Sequence, residues 1–161
     1  MNIADAITII RIVLSPALYA AGFLREEMVF LALFIIGAVT DGLDGFLARR
    51  SKKKSGYGHM LDGVADTLFY PSCIFILVFI PELQAYAKFI VGVFIAQIIS
   101  VLVAWQRGKA NAAHLISGKI NAVVMCGVVV ALLLVGFYPF LVWALVISSF
   151  ISAADRLRMA L

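Results

Sequence analysis

The run MVFLALFIIGAVTDGLDGFLARR, from Met28 to Arg50, decides how this chain folds. Its first half is nearly pure hydrocarbon. As far as Ala48 it is long enough to cross a bilayer as a helix, which takes about 20 residues. The second half sets Asp41 and Asp44 into the same helix and closes on Arg49 and Arg50. A carboxylate inside an apolar helix is costly unless a cation meets it, so both mark a functional site by default. At about 1.5 Å per residue, Asp44 lies about 8 Å from Arg49 along the axis. The acids thus belong to the basic side of the membrane, not to its centre.

Eight residues beyond Arg49 a second set begins, Gly58-x-x-x-Asp62-x-x-x-Asp66. On a helix, Asp41, Asp44, Gly45 and Ala48 share one stripe, and Gly58, Asp62 and Asp66 share another. A short connection makes the two helices antiparallel neighbours, so the stripes can face each other. Four acids, of only nine in the chain, would then form a nest floored by small residues. Left alone they would repel one another and take up protons. Two hard divalent cations, Mg²⁺ or Mn²⁺, resolve this, because carboxylate oxygens are their preferred ligands. Such two-metal sites suit in-line displacement at phosphorus. Arg49, one turn past the acids, can grip a phosphate oxygen pair, and Gly45 and Gly58 permit close backbone approach. One acid must accept the proton of an attacking hydroxyl. Asp66, last in the series and nearest the membrane interior, is the expected base.

The remaining composition agrees. With 161 residues, 64% hydrophobic and 14% charged, and a mean hydropathy of +1.08, an ordinary soluble domain is excluded. Six apolar stretches are predicted as spans: Ile3–Leu24, Met28–Ala48, Gly58–Phe79, Ala85–Trp105, Lys119–Val135 and Phe137–Ala154. The expected fold is an all-α integral membrane protein, one domain over residues 1–161 with six transmembrane helices. With the N-terminus inside, one face collects Arg11, Arg49, Arg50, Lys52, Lys53, Lys54, Arg107, Lys109, Lys119, Arg156 and Arg158. The other keeps Arg25 and Lys88. By the positive-inside rule both termini are cytoplasmic, and so is the acidic site. The first helix lacks a basic leader and carries Asp5 and Arg11 early, so it reads as retained. The net charge of +4 belongs to membrane-facing loops, where Lys52 to Lys54 anchor at anionic headgroups, and not to a nucleic-acid surface. Cys73 and Cys126 are too few and isolated for a disulfide framework or zinc site. His59 and His114 read as loop-end histidines.

The string Asp41-Gly-Leu-Asp44-Gly45-Phe-Leu-Ala48-Arg49, then Gly58-His-Met-Leu-Asp62-Gly-Val-Ala-Asp66, resembles the CDP-alcohol phosphotransferase signature at every fixed position. The resemblance implies a membrane enzyme of phospholipid biosynthesis. Such an enzyme moves a phosphatidyl-type group from a CDP-linked lipid, CDP-diacylglycerol or CDP-archaeol, to an alcohol and releases CMP. It implies metal ligation by Asp41, Asp44, Asp62 and Asp66, with Asp66 as base. It also implies that Gly45, Ala48, Arg49 and Gly58 hold the cytidine diphosphate, and that the enzyme is a homodimer in the cell membrane.

The acceptor is read from elsewhere. Asp5-Ala-Ile-Thr8-Ile-Ile-Arg11 is similar to the Asn-x-x-Thr-x-x-Arg opening of glycerophosphate-type members, with Asp5 in place of Asn. Ser117-Gly118-Lys119-Ile120-Asn121-Ala122 resembles their Gly-Lys-x-Lys-Thr, with Asn121 in place of the second lysine. Arg107, Lys119 and Arg156 lie at three helix ends expected at the cytoplasmic mouth, and a phosphorylated acceptor rewards such a cluster. sn-Glycerol 3-phosphate therefore leads, followed by inositol phosphate and then serine. The rival class is a cation or proton transporter, since intramembrane acids also mark ion paths. A transporter prefers acids at the midplane on broken helices and internal pseudo-symmetry, neither of which the sequence displays.

Overall fold

In the computed structural model the described residues are 3–51, 65–66, 68–107 and 116–160, with the side chains of 3–7 and 43–51 left aside. They form α1 (Ile3–Phe23), α2 (Glu27–Ser51), a short α3 (Ile76–Phe79), α4 (Ala87–Gln106), α5 (Ile116–Val135) and α6 (Pro139–Ala160). Turns of 3₁₀ helix, Tyr70–Phe75 and Pro81–Tyr86, lead into α3 and α4. No strand occurs among the described residues.

Turn chemistry sets the ends. After α1 the chain reverses at Arg25, whose φ of 59° is left-handed. The N–H of Glu26 reaches the Ala21 carbonyl at 2.9 Å, and the N–H of Arg25 that of Gly22 at 3.3 Å. This paired pattern closes a helix C-terminus, normally around glycine. α5 ends the usual way, at Gly136 with φ 98°. Pro139 then opens α6 at a position where a missing N–H costs nothing. α6 therefore starts two residues later than expected from the apolar pattern, and it continues through Asp155–Arg158 to Ala160.

The third stretch departs most from expectation. Gly58 to Val64 lies outside the described residues. Ala65, Asp66, Leu68 and Phe69 are helical, and the chain then tightens into the 3₁₀ turn containing Pro71. Pro71 has no N–H to give to a preceding turn and its ring crowds that turn, so an uninterrupted α-helix is disfavoured there.

Three segments, Pro81–Gln106, Ile116–Val135 and Pro139–Ala160, are long and apolar enough to cross a membrane. Their outward side chains include Ile95, Ile98, Val123, Phe140, Ile147 and Phe150, all exposed. In water such a surface would be an association patch; against acyl chains it is matched to its solvent. This is a membrane protein.

The chain divides into two compact units, Met1–Phe79 and Ile80–Leu161. In the first, α1 packs along α2 and the 3₁₀ turn leans on α1. Phe30, Phe34, Phe69 and Phe75 are buried there. Phe34 and Phe69 stack at 5.0 Å, and Phe75 meets Phe23 edge-on at 5.0 Å. Two glycines make room for these rings. A Cβ on Gly22 would lie 2.5 Å from Cγ of Phe75, and one on Gly37 would overlap the Phe69 ring. Gly37→Ala is accordingly expected to destabilise the protein by about 1–3 kcal/mol, the usual cost of overpacking. Its melting temperature in detergent should fall. A melting point equal to or above that of the parent would show that the ring yields freely.

In the second unit α6 packs against both α4 and α5. It buries Val142, Leu145, Ser149, Ser152, Ala153 and Ala160 along one side. The hydroxyls of Ser148 and Ser149 both donate to Oδ1 of Asn121 on α5 at 3.0 Å. From α4, Nε2 of Gln97 donates to the Ser149 carbonyl at 2.8 Å. Where lipid and core are equally apolar, such interhelical bonds and small-residue contacts hold helices together.

Candidate functional site

Three segments of the first unit meet at Arg11. It stands on α1, is only 1% exposed, and lies one turn beyond the buried Thr8. An unpaired guanidinium there would be prohibitively costly. Its Nη1 donates to Oδ1 of Asp41 on α2 in a close ion pair. Its Nη2 lies 3.3 Å from Oδ1 of Asp66. Tyr70, at the start of the 3₁₀ turn, donates its hydroxyl to Oδ2 of Asp41 at 3.1 Å. The Ser15 hydroxyl donates to the Arg11 carbonyl at 2.9 Å, tying the guanidinium-bearing turn to the next one.

Asp41 and Asp66, 25 positions apart in sequence, are therefore brought to one cation. Among the described residues the cation that meets both is Arg11, from α1. One guanidinium there thus faces two carboxylates. The Asp41 and Asp66 side chains remain 33% and 46% exposed. Such a pair, partly open and oxygen-only, suits a hard cation. Asp44 follows Asp41 by one turn on α2, with its side chain outside the described residues. Asp62 and Gly58 lie outside them altogether. No group of three potential metal ligands occurs among the described residues. Gly45, Ala48 and Arg49 are placed on α2 by their backbone alone.

Tyr70 was not anticipated, although the signal existed. It continues the four-residue spacing of Gly58, Asp62 and Asp66 by one more step.

The expected acceptor residues all fall in the second unit. Arg107 follows α4 and is exposed, and Lys119 is exposed in the first turn of α5. Arg156, near the end of α6, is half-buried, and its Nη1 donates to Oε1 of Gln97 and to Oγ of Ser100, both at 3.0 Å. Gln97 and Ser100 are one turn apart on α4 and had not been singled out from sequence.

Comparison with known proteins adds the following. Residues 1–153 match the family described as CDP-alcohol phosphatidyltransferase. A CDP-diacylglycerol–glycerol-3-phosphate 3-phosphatidyltransferase of Pseudomonas fluorescens is 37% identical over 81 residues, 48% of this chain and 42% of its own length. A protein of the same description from Yersinia pestis is 42% identical over 69 residues, 41% of this chain and 38% of its own. One from Salmonella choleraesuis is 41% identical over 68 residues, 40% and 37% of the two lengths. The matched region thus spans about two fifths of these curated relatives. No solved structure matches the chain.

Proposed function

The chain belongs to the CDP-alcohol phosphatidyltransferase family, and from that premise we propose that it transfers a phosphatidyl-type group from a CDP-linked lipid to sn-glycerol 3-phosphate, releasing CMP. One observation carries the reading. The first acid of the motif, Asp41, and the last, Asp66, come from separate segments yet face the same guanidinium. The relatives named above are described by this acceptor, and Arg107, Lys119 and Arg156 supply the cationic side chains a phosphorylated alcohol rewards. No observation favours a cation transporter.

Each residue has a role in this proposal. Asp66 accepts the proton of the acceptor hydroxyl. The freed oxygen attacks the lipid-side phosphorus, the bond from that phosphorus to the bridging oxygen breaks, and CMP takes the electron pair. Asp41, Asp44, Asp62 and Asp66 would hold two divalent cations, Mg²⁺ or Mn²⁺, which when bound draw charge from the phosphates. Arg11 holds Asp41 and Asp66 in place from the buried side, and Tyr70 fixes the second oxygen of Asp41. Gly45, Ala48, Arg49 and Gly58 hold the cytidine diphosphate. The topology proposed with this is six spans, both termini and the acidic site cytoplasmic, and a homodimer in the cell membrane.

The test is CMP release from CDP-diacylglycerol by the full-length protein in nanodiscs with Mg²⁺. Acceptors would be glycerol 3-phosphate, inositol phosphate, inositol, serine and phosphatidylglycerol. Glycerol 3-phosphate should be fastest at equal concentration. Alanine at Arg107, Lys119 or Arg156 should raise its apparent KM about ten- to a hundredfold, the scale of losing a hydrogen bond to a charged group. No CMP from any acceptor would remove the proposal. Unchanged acceptor constants in all three variants would remove the acceptor assignment.

A further inference from the structure

Gln97 lies in a helix that is otherwise almost wholly apolar, AKFIVGVFIAQIISVLVAWQ. A primary amide at that depth is costly unless all its strong groups are engaged. Both ends of this one are. Nε2 donates to the Ser149 carbonyl at 2.8 Å, and Oε1 accepts from Nη1 of Arg156 at 3.0 Å. The orientation is forced, because a flipped amide would set carbonyl against carbonyl and donor against donor. Ser100 is oriented in the same way. Its hydroxyl hydrogen goes to the Gln97 carbonyl at 2.8 Å, which turns a lone pair toward Nη1 at 3.0 Å.

Counting donors on Arg156 gives an uneven result. A guanidinium has five N–H bonds in a fixed fork. Both hydrogens of Nη1 are taken, by Gln97 and Ser100. Both partners are neutral, and Arg156 makes no ion pair among the described residues. Its Nε is buried with no acceptor among the described residues. Among the described residues, the edge formed by Nε and Nη2 is therefore left over and no carboxylate compensates the charge. That edge has the parallel two-donor geometry that a phosphate oxygen pair accepts.

We propose that Gln97 is a positioning and specificity residue: by occupying Nη1 with a neutral acceptor, it presents the Nε–Nη2 edge of Arg156 to the phosphate of the acceptor alcohol. This rests on the acceptor role proposed above for Arg156. Gln97 touches no reacting atom; it works by orienting the guanidinium without neutralising it. A carboxylate at position 97 would hold Arg156 as firmly yet cancel the attraction that recruits a dianion.

The experiment uses the full-length protein in nanodiscs, with Gln97→Glu and Gln97→Leu compared with the parent. For both variants the apparent KM for glycerol 3-phosphate should rise about tenfold or more, and further in Gln97→Glu. The KM for CDP-diacylglycerol should stay within about twofold. A purely structural role moves both constants together, most in Gln97→Leu. Parallel movement, or an unchanged acceptor constant in Gln97→Glu, overturns the inference. Melting-temperature shifts with glycerol 3-phosphate and with inorganic phosphate read binding without turnover. A rise in the parent that disappears in Gln97→Glu supports the inference whichever acceptor is turned over. An equal rise in both proteins, or none in the parent, overturns it. Failure of the activity itself looks different: the parent then releases no CMP from any acceptor.

Discussion

Asp66→Asn is expected to abolish CMP release, lowering single-turnover rates by about 10²–10⁴-fold, while much of the affinity for CDP-lipid survives. The substitution keeps the shape of the side chain and removes its ability to take a proton. General-base removal costs a factor of that size. Asp66 is about half exposed, so a hydroxyl can reach it. It is also fixed from behind by Nη2 of Arg11, and the amide oxygen of Asn can keep that contact. Asp41→Asn or Asp62→Asn should behave differently, weakening divalent-cation and nucleotide binding together. The two patterns separate in paired measurements of single-turnover CMP release and CDP-lipid binding. Full turnover by the Asp66→Asn protein would refute its assignment as base.

Arg11→Met should have the largest effect on stability. It keeps the length of the side chain and strips Asp41 and Asp66 of their shared cation. Removing one partner of a buried pair costs about 3–5 kcal/mol. Both carboxylates are partly exposed here, so the low end of that range is expected. The loss should depend on divalent cations. In EDTA the carboxylates repel without compensation, whereas Mg²⁺ restores it and stabilises the folded form by mass action, about 2.7 kcal/mol at a hundred times Kd. The variant's melting temperature should therefore respond to Mg²⁺ more steeply than the parent's. Adding Asp41→Asn should cost less than it does in the parent, because the two residues share one interaction. Additive losses, or a variant that melts like the parent in EDTA, would mean that Arg11 is not what holds the acids.

What the sequence displayed was position within a helix; what it hid was which helices touch. The stripe of Asp41 and Asp44 follows from helical period alone, and α2 carries it as expected. That Arg11 answers Asp41 could not be read, because the two are 30 positions apart and no period links α1 to α2. In the sequence Arg11 stood out only as one of the basic residues of the cytoplasmic face and as the end of the Asp5-Ala-Ile-Thr8-Ile-Ile-Arg11 opening. Tyr70 was legible in principle, as the next step of a four-residue series. The conversion of six residues to 3₁₀ around Pro71 was not legible, since proline marks where an α-helix fails without saying what replaces it. Gln97 was passed over because it bears no charge. In a span of hydrocarbon, however, an uncharged amide needs partners as surely as an ion does.

The glycine socket at Gly37 has a bearing beyond packing. Gly37 precedes Asp41 by four positions, and Phe69, whose ring fills the socket, follows Asp66 by three. Stepping from the ring toward the acids thus takes about one turn along each of the two segments. The plug works as a depth gauge: it sets how far one segment slides along the other, and so whether the two oxygen donors arrive level. A buried hydrophobic residue thereby bears on the alignment on which the proposed chemistry depends.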